Sequence, residues 1–207
     1  MVDAVSEIVS AAGWKLKTLL RTRRFYVDAD LVVFYKSHLL GYLEYRTPAV
    51  YHSTRSVLCR LDAVQTRFLK DIGIDEQTAL LRFHLAPLSA RRDMALLGLI
   101  HRTVLGKGPE QFRVFFKLED QSMALQDPRK TTKSPLIKRS MFGLIAIYNM
   151  LPARIRAAAV LVFQKCLQRF IITFAAAGFP QWSEVLSPRL PLSTFRLATF
   201  PNGCPRK

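Results

Sequence analysis

The sequence predicts an all-α fold, an irregular bundle of about six helices followed by a disordered C-terminal tail. Along most of the chain, apolar residues recur at steps of three and four, which is the spacing of one helix face. No segment shows the alternation of apolar and polar residues that is typical of a half-buried strand. Half of the 207 residues are hydrophobic, so the chain has enough apolar surface for a sizeable core. These observations together indicate helices packed on helices.

The first two helices are expected before Pro48. One should lie within residues 5–25, with Gly13 as its weakest point because glycine lowers helix stability. Asp28 or Asp30 is expected to cap the second helix. The apolar face of this helix should contain five residues at steps of four and three, namely Leu31, Tyr35, His38, Tyr42 and Tyr45. Pro48 prevents the helix from continuing much further.

The third helix has the clearest amphipathic pattern. Ser53 or Thr54 is expected to be its N-cap. Its apolar stripe contains Val57, Leu61, Val64, Phe68 and Ile72. Arg60, Arg67 and Lys70 fall toward the other faces. Gly73 follows the stripe, where glycine favours the end of a helix.

Two more helices are expected before residue 107. A short one should cover Glu76–Phe83. Ser89 is expected to cap a longer one over residues 90–105, with Gly106 as its terminator. The helical domain would therefore cover residues 1–116.

The composition changes after residue 116. Residues 117–135 contain two prolines and a basic run, which predict an exposed basic linker or long loop. A helical pair should follow over residues 136–150 and 153–177, and the whole segment 136–178 is expected to pack on the first part. Residues 179–207 contain five of the eleven prolines and no periodic apolar pattern, which predicts a disordered tail.

The charge of the chain favours an anionic partner. Its 31 Lys and Arg residues exceed its 15 Asp and Glu residues, so the formal net charge is +16. Such an excess attracts nucleic acid or an anionic membrane face. The longest apolar runs fall short of the ~20 residues that span a bilayer. A membrane-surface role is the weaker alternative, because the apolar stripes are better explained as a mutual core.

No arrangement of residues indicates an enzyme or a metal site. There is no C-x-x-C pair, no H-E-x-x-H, no G-x-S-x-G and no glycine-rich phosphate loop. Asp28 and Asp30 have the residue type of a metal-binding pair. Without a third acidic partner, helix capping is the better interpretation. The sequence therefore predicts no catalytic residue, no metal and no cofactor.

Clustered basic residues are the candidate nucleic-acid-binding residues. Five lie within ten positions beside aromatic residues, namely Lys15, Lys17, Arg21, Arg23 and Arg24, with Trp14, Phe25 and Tyr26 as neighbours. Such a helix would lay cations along phosphates while an aromatic ring stacks on a base or sugar. The alternative is a solvated face with the aromatic side chains turned into the core.

Four more basic residues complete the candidate set. Arg67 and Lys70 lie on the third helix. Arg91 and Arg92 fall in the first turn of a helix, where the helix dipole disfavours cations. This conflict indicates either an anionic ligand or an internal partner such as Asp93 or Glu76.

A series of short phrases resembles one known family. The phrases, in order, are Leu16-Lys17-Thr18-Leu19-Leu20, Tyr35-Lys36, Leu43-Glu44-Tyr45 before Pro48, Leu61-Asp62 with Val64-Gln65 and Arg67-Phe68, Leu85-Ala86-Pro87-Leu88 with Arg91-Arg92, and Tyr148-Asn149-Met150-Leu151-Pro152. The series resembles the segment after the polymerase core in the reverse transcriptase of non-LTR (LINE-type) retrotransposons. Two aromatic positions differ, because Tyr51 and Tyr148 stand where that family has tryptophan. The palm and its catalytic aspartate pair do not appear in this chain.

The resemblance implies a non-catalytic, thumb-like domain over residues 1–116 that helps to hold template and primer. Its partners would be RNA, DNA or an RNA–DNA hybrid, and a separate polymerase core. The family's life cycle implies an intracellular location, in the nucleus or in a cytoplasmic ribonucleoprotein. Two alternatives stay open, namely a helical protein-interaction module and a retroelement relic with no selected function. Nothing in the sequence indicates an oligomeric state.

Overall fold

A computed structural model describes residues 2–117, 124–130 and 134–189 of the chain. These residues form helices, turns and loops with no β-strand among them, so the predicted all-α class is confirmed. By its internal contacts the chain divides into two compact units, Met1–Arg92 and Asp93–Lys207. This division lies well before residue 116, where the composition changes.

The first unit contains six helices and the start of a seventh among its described residues: α1 (Val2–Arg21), α2 (Asp28–Tyr35), α3 (Gly41–Glu44), α4 (Thr47–Val50), α5 (Arg55–Asp71), α6 (Glu76–Phe83) and the beginning of α7 (Leu88–Val104). A 3-10 turn, Arg23–Phe25, follows α1, and a π-helical segment, Lys36–Leu40, joins α2 to α3.

Helices α1 and α5 pack against each other and form the centre of this unit. The buried face of α1 repeats every three or four residues with Val5, Ile8, Ala12 and Leu16. On α5, Leu61, Val64 and Phe68 are buried, as the stripe predicts, and Val57 and Ile72 are partly buried against the same core. The apolar stripe predicted for α5 is therefore confirmed.

The predicted face of the second helix is wrong beyond Tyr35. Between Tyr35 and Tyr45 the buried residues are Leu39, Leu40 and Leu43, so Leu39 and Leu43 take the places predicted for His38 and Tyr42, while Tyr45 is 84% exposed. The physical reason is the π-helical segment. A π turn bonds residue i to residue i+5 and holds one extra residue, so it rotates the following apolar face.

Helix starts were predicted less well than helix faces. α1 runs through Gly13 without a break and ends at Arg21. Val27, not Asp28 or Asp30, occupies the N-cap of α2, and both aspartates lie in its first turn. Thr54 is the N-cap of α5 but makes no side-chain capping bond. The predicted bounds of α6 are confirmed, whereas α7 begins at Leu88, so Ser89 is not its cap.

The second unit contains five helices after α7 among its described residues: α8 (Glu110–Arg113), α9 (Pro135–Arg139), α10 (Leu144–Met150), α11 (Ala153–Arg156) and α12 (Val160–Ala176). Three 3-10 turns lie between or after them, at Pro128–Lys130, Met141–Gly143 and Trp182–Glu184.

The helical pair predicted after residue 135 is broken in two places. Ser140 is extended and its hydroxyl accepts a hydrogen bond from the Phe142 N–H, which ends α9. Gly143 then approaches α9 so closely that a Cβ there would lie 2.2 Å from the Lys138 carbonyl oxygen. Ala159 is also extended and separates α11 from α12. Local capping therefore overrides a periodic pattern that is continuous in the sequence.

The predicted exposed linker and disordered tail are each wrong in part. Leu125 is fully buried, and its backbone N–H and C=O both bond to the Asn149 side-chain amide at 2.8 Å. Arg129 is paired with Asp127 and is mostly buried. In the segment predicted as a tail, Val185 and Leu186 are buried. The rest of that segment, residues 190–207, lies outside the described residues.

A buried histidine lies in the core of the second unit. His101 is fully buried and stacks on Phe163, with ring centroids 3.9 Å apart. Its Nε2 lies 2.8 Å from the Ala158 carbonyl oxygen and its Nδ1 lies 3.0 Å from the Tyr148 hydroxyl. Because a carbonyl only accepts, Nε2 carries the proton and Nδ1 accepts from Tyr148. The neutral ring thus makes a hydrogen bond through each of its nitrogens, one to the Ala158 carbonyl and one from the Tyr148 hydroxyl.

We expect acid to destabilise the second unit through His101. Burial lowers the pKa of His101, although the bond to Ala158 acts in the opposite direction. As the pH falls below about 6.5, the unfolded chain therefore takes up a proton that the folded chain does not. The contribution of His101 to the free energy of unfolding is complete above that pH and is lost below it, at a slope of up to about 1.4 kcal/mol per pH unit.

Two measurements check this expectation. An NMR titration of the His101 ring should give a midpoint below the ordinary histidine value, and urea unfolding should show stability falling from pH 7 to pH 5. A His101→Phe variant should show a shallower fall over the same range. A ring that titrates at or above about 6.5 would contradict the assignment.

Candidate nucleic-acid interface

The end of helix α1 brings the main basic cluster of the sequence to the surface. Lys15, Lys17, Arg21, Arg23 and Arg24, here called the α1 cationic cluster, are all exposed. Leu16 lies between two of them and is buried, because successive helix positions turn by about 100° and only one face meets the core. Arg21 also lies in the last turn of α1, where a cation is favoured by the helix dipole.

Most of the α1 cationic cluster has no internal anionic partner. Within the described part of the chain, no carboxylate pairs with Lys15, Lys17, Arg21 or Arg24. Arg23 donates to the Asp71 backbone carbonyl at 3.2 Å, a bond that leaves its charge uncompensated. The positive charge of this surface is therefore available to an external anion.

The aromatic residues beside the cluster face solvent. Trp14 and Phe25 are each 68% exposed, and Tyr26 is 44% exposed. The Arg24 guanidinium lies 4.7 Å from the Phe25 ring centroid, which is within cation–π distance. The interpretation that these aromatic side chains turn into the core is therefore wrong.

A pocket of about 460 Å³ opens beside the cluster, between α1, the turn after it and the second helix. Its wall contains aromatic, aliphatic and hydroxyl groups together with one lysine, namely Trp14, Lys15, Thr18, Leu19, Thr22, Tyr26, Phe34, His38 and Leu39. Sequence reasoning missed Thr18, Thr22, Phe34 and His38. The only signal for the first two was their spacing of four and eight from Trp14, which places all three on one helix face.

Arg67 and Lys70 are exposed on α5 and stay in the candidate set. The Arg67 Nε lies 3.8 Å from Asp71 Oδ2, one helical turn further on. That distance is too long for a hydrogen bond, and the Arg67 side chain is 73% exposed. Arg67 therefore retains most of its capacity to bind an anion.

Arg91 and Arg92 leave the candidate set, because both are paired inside the first unit. Arg92 is 5% exposed, and its Nη1 and Nη2 atoms lie 2.8 Å and 2.9 Å from the two carboxylate oxygens of Asp62. Arg91 binds Glu44 in the same two-pronged way, with Nη2 3.0 Å from Oε2. The sequence suggested Asp93 or Glu76 as an internal partner of these arginines, whereas the structure pairs them with Glu44 and Asp62. These pairs explain how two cations are tolerated near the N-terminus of α7.

The phrases that lie in the first unit are joined by internal contacts. Glu44 and Asp62 belong to two of these phrases, and they pair with Arg91 and Arg92 of a later phrase. Gln65 accepts a hydrogen bond from Tyr35 at 3.4 Å and donates one to the Ala86 carbonyl at 3.1 Å. These residues of the phrases therefore have a structural role in the first unit that does not depend on a ligand.

Two features are absent from the described residues, namely a cluster of metal ligands and a membrane-spanning helix. No group of three or more His, Cys, Asp or Glu among them could hold a metal ion. None of their helices has the length and apolar character that crossing a membrane requires.

Comparison with known proteins identifies no relative. No family model matches the chain, and no curated protein or solved structure has significant similarity to it.

Proposed function

We propose that this chain is a non-catalytic helical module that binds the backbone of RNA, DNA or an RNA–DNA hybrid without sequence specificity. The α1 cationic cluster would make the contact. The observation that carries the proposal is the difference between this cluster and the other basic residues. Arg91 and Arg92 are neutralised internally, whereas Lys15, Lys17, Arg21 and Arg24 are exposed without a carboxylate partner among the described residues.

Backbone binding suits the chemistry of this surface. Lysine and arginine contact phosphate oxygens and release condensed counterions, which gives affinity without reading the base sequence. Arg67 and Lys70, exposed on α5, would add further contacts. The net charge of +16 attracts polyanions at longer range.

The resemblance to a retrotransposon reverse transcriptase supplies a setting for this activity. In that setting the chain would act as a thumb-like segment beside a separate polymerase core, in the nucleus or in a cytoplasmic ribonucleoprotein. It would hold the nucleic acid, and the separate polymerase core would catalyse the reaction. The lack of family matches leaves this setting as a proposal that rests on the ordered phrases.

A protein-interaction module is the second candidate, and exposed aromatic residues favour it. Trp14, Phe25 and Tyr45 expose apolar surface that a protein partner would bury. Such binding would depend little on salt, in contrast to phosphate binding. A relic with no selected function would show neither behaviour reproducibly.

Charge removal tests the proposed function. A variant with Lys17→Gln, Arg21→Gln, Arg23→Gln and Arg24→Gln should bind a labelled RNA–DNA primer-template at least about a hundredfold more weakly at about 0.15 M salt. The plot of log affinity against log salt should become shallower by about three, because each lost phosphate contact removes ~0.7–0.9 from the slope. Fluorescence anisotropy between about 50 and 200 mM salt measures both quantities.

A matched control removes the same number of charges from the second unit. The residues are exposed and belong to the second unit, whereas the α1 cationic cluster belongs to the first: Lys107, Lys138, Lys165 and Arg169. Their replacement by glutamine should change affinity and slope much less. Equal losses in the two variants would show that only the net charge matters and would contradict the assigned site.

A further inference from the structure

We propose that the pocket beside the α1 cationic cluster binds one unpaired nucleobase of a bound single strand. This inference rests on the proposed function, because the cluster would hold the phosphates on either side of that base. It goes further by assigning a base-binding site and a preference for single-stranded nucleic acid.

The pocket has the shape and lining that a flat aromatic ring requires. Its volume of about 460 Å³ lies within the range that is usual for small-molecule sites. Trp14 and Tyr26 both line the pocket with aromatic rings, and both remain exposed. The Tyr26 ring contacts Phe34 edge-to-face, with centroids 5.0 Å apart, so a packed neighbour supports it.

The helices supply polar groups at the edge of the same pocket. The Thr18 hydroxyl donates to the Trp14 carbonyl at 3.1 Å, and the Thr22 hydroxyl donates to the Leu19 carbonyl at 2.7 Å. Each hydroxyl oxygen retains lone pairs that accept a hydrogen bond from a base amino or imino group. His38, in the π-helical segment, lies in the wall as well.

Charge complementarity selects the occupant. Lys15 lines the pocket itself, while Lys17 and Arg21 lie on the same helix with no carboxylate partner in the described residues. A peptide aromatic side chain would fill the pocket but would leave these cations uncompensated. A nucleotide brings a flat ring and a phosphate together. A paired base inside a duplex cannot reach the pocket, so the occupant is a base from a single strand.

Tryptophan fluorescence offers a direct test. The chain has two tryptophans, so a Trp182→Phe variant retains Trp14 as its single reporter. We expect a single-stranded RNA of about 12 nucleotides to quench Trp14 fluorescence, because the base stacks on the indole ring. A blunt RNA duplex of the same length should bind with much less quenching. Equal quenching by both, or none by the single strand, would overturn the inference.

Substitution then separates stacking from backbone contact. In anisotropy measurements on the native background, Trp14→Ala should weaken single-strand binding about tenfold, leave duplex binding nearly unchanged and preserve the salt slope. Trp14→Phe should recover part of the loss, which a merely structural defect would not explain. Phe25→Ala is the matched control, because Phe25 has the same exposure but does not line the pocket.

The outcomes distinguish failure of the pocket from failure of the proposed function. Salt-dependent binding that is equally insensitive to Trp14→Ala and Phe25→Ala would overturn the pocket and leave backbone binding intact. Equal losses in these two variants would also overturn it. If neither single strand nor duplex binds in a salt-dependent manner, the proposed function fails and the pocket inference fails with it. Salt-insensitive capture of an aromatic peptide by the pocket would replace the nucleobase with a protein ligand.

Discussion

Replacement of Phe68 by alanine should lower the free energy of unfolding of the first unit by about 4 kcal/mol. The Phe68 side chain is fully buried on α5, at the centre of the core against which α1 packs. Its ring stacks on Tyr35 with centroids 4.4 Å apart and planes inclined by 12°. The change removes the burial energy of the ring and leaves a cavity that surrounding helices fill only in part.

Urea unfolding followed by far-UV circular dichroism measures this effect. Phe68→Leu should recover most of the loss because it keeps much of the side-chain volume. Phe25→Ala should cost little, since Phe25 is 68% exposed. A cost below about 2 kcal/mol for Phe68→Ala would show that the core around α5 is more loosely packed than the structure indicates.

The second large effect is expected from Arg92→Met, at about 3 kcal/mol. Arg92 is 5% exposed and makes two short contacts with the Asp62 carboxylate. Methionine keeps much of the volume but leaves Asp62 without its cation. The cost should fall at the low end of the range for broken buried pairs, because the Asp62 side chain is 28% exposed and keeps some contact with water.

An exposed ion pair provides the control for Arg92. Arg67 is 73% exposed and lies 3.8 Å from Asp71, so Arg67→Met should cost less than about 1 kcal/mol. The double variant Arg92→Met with Asp62→Leu should be more stable than Arg92→Met alone, because it no longer buries an unpaired carboxylate. If Arg92→Met and Arg67→Met lower the free energy of unfolding by the same small amount, the burial of the Arg92–Asp62 pair adds nothing to stability.

The two arginine variants also separate folding from binding. Arg92 is buried and stabilises the first unit through its pair with Asp62. Arg92→Met should therefore impair nucleic-acid binding only to the extent that it unfolds the first unit. Arg67 is exposed and lies in the candidate interface, so its loss should weaken binding without a large change in stability. The sequence alone placed both residues in one list of candidate contacts.

The helices could be predicted wherever apolar periodicity and turn chemistry agree. On α5, the stripe from Val57 to Ile72 and the glycine after it identified the helix, its face and its end. The reason is that burial of one face is the dominant energy of such a helix, and the spacing of apolar residues records that face directly. Gly73 does adopt the positive φ that the predicted stop requires.

Periodicity failed where backbone geometry departs from a regular helix. The π-helical segment Lys36–Leu40 shifts the buried face after Tyr35 by one residue. Ser140 and Ala159 adopt extended backbone inside patterns that read as continuous helices. Such breaks come from local backbone turns, for example the close approach of Gly143 to the Lys138 carbonyl, and apolar spacing does not record them.

The sequence by itself determined the all-α class, the helices around α5 and the positive charge gathered at the end of α1. Only the tertiary structure decided which cations remain available. It buried Arg92 against Asp62 and paired Arg91 with Glu44, 30 and 47 residues away in the chain. It also turned Trp14 and Tyr26 outward beside a pocket. The physical reason is that charge and periodicity are local properties, whereas burial and neutralisation depend on residues that only folding brings together.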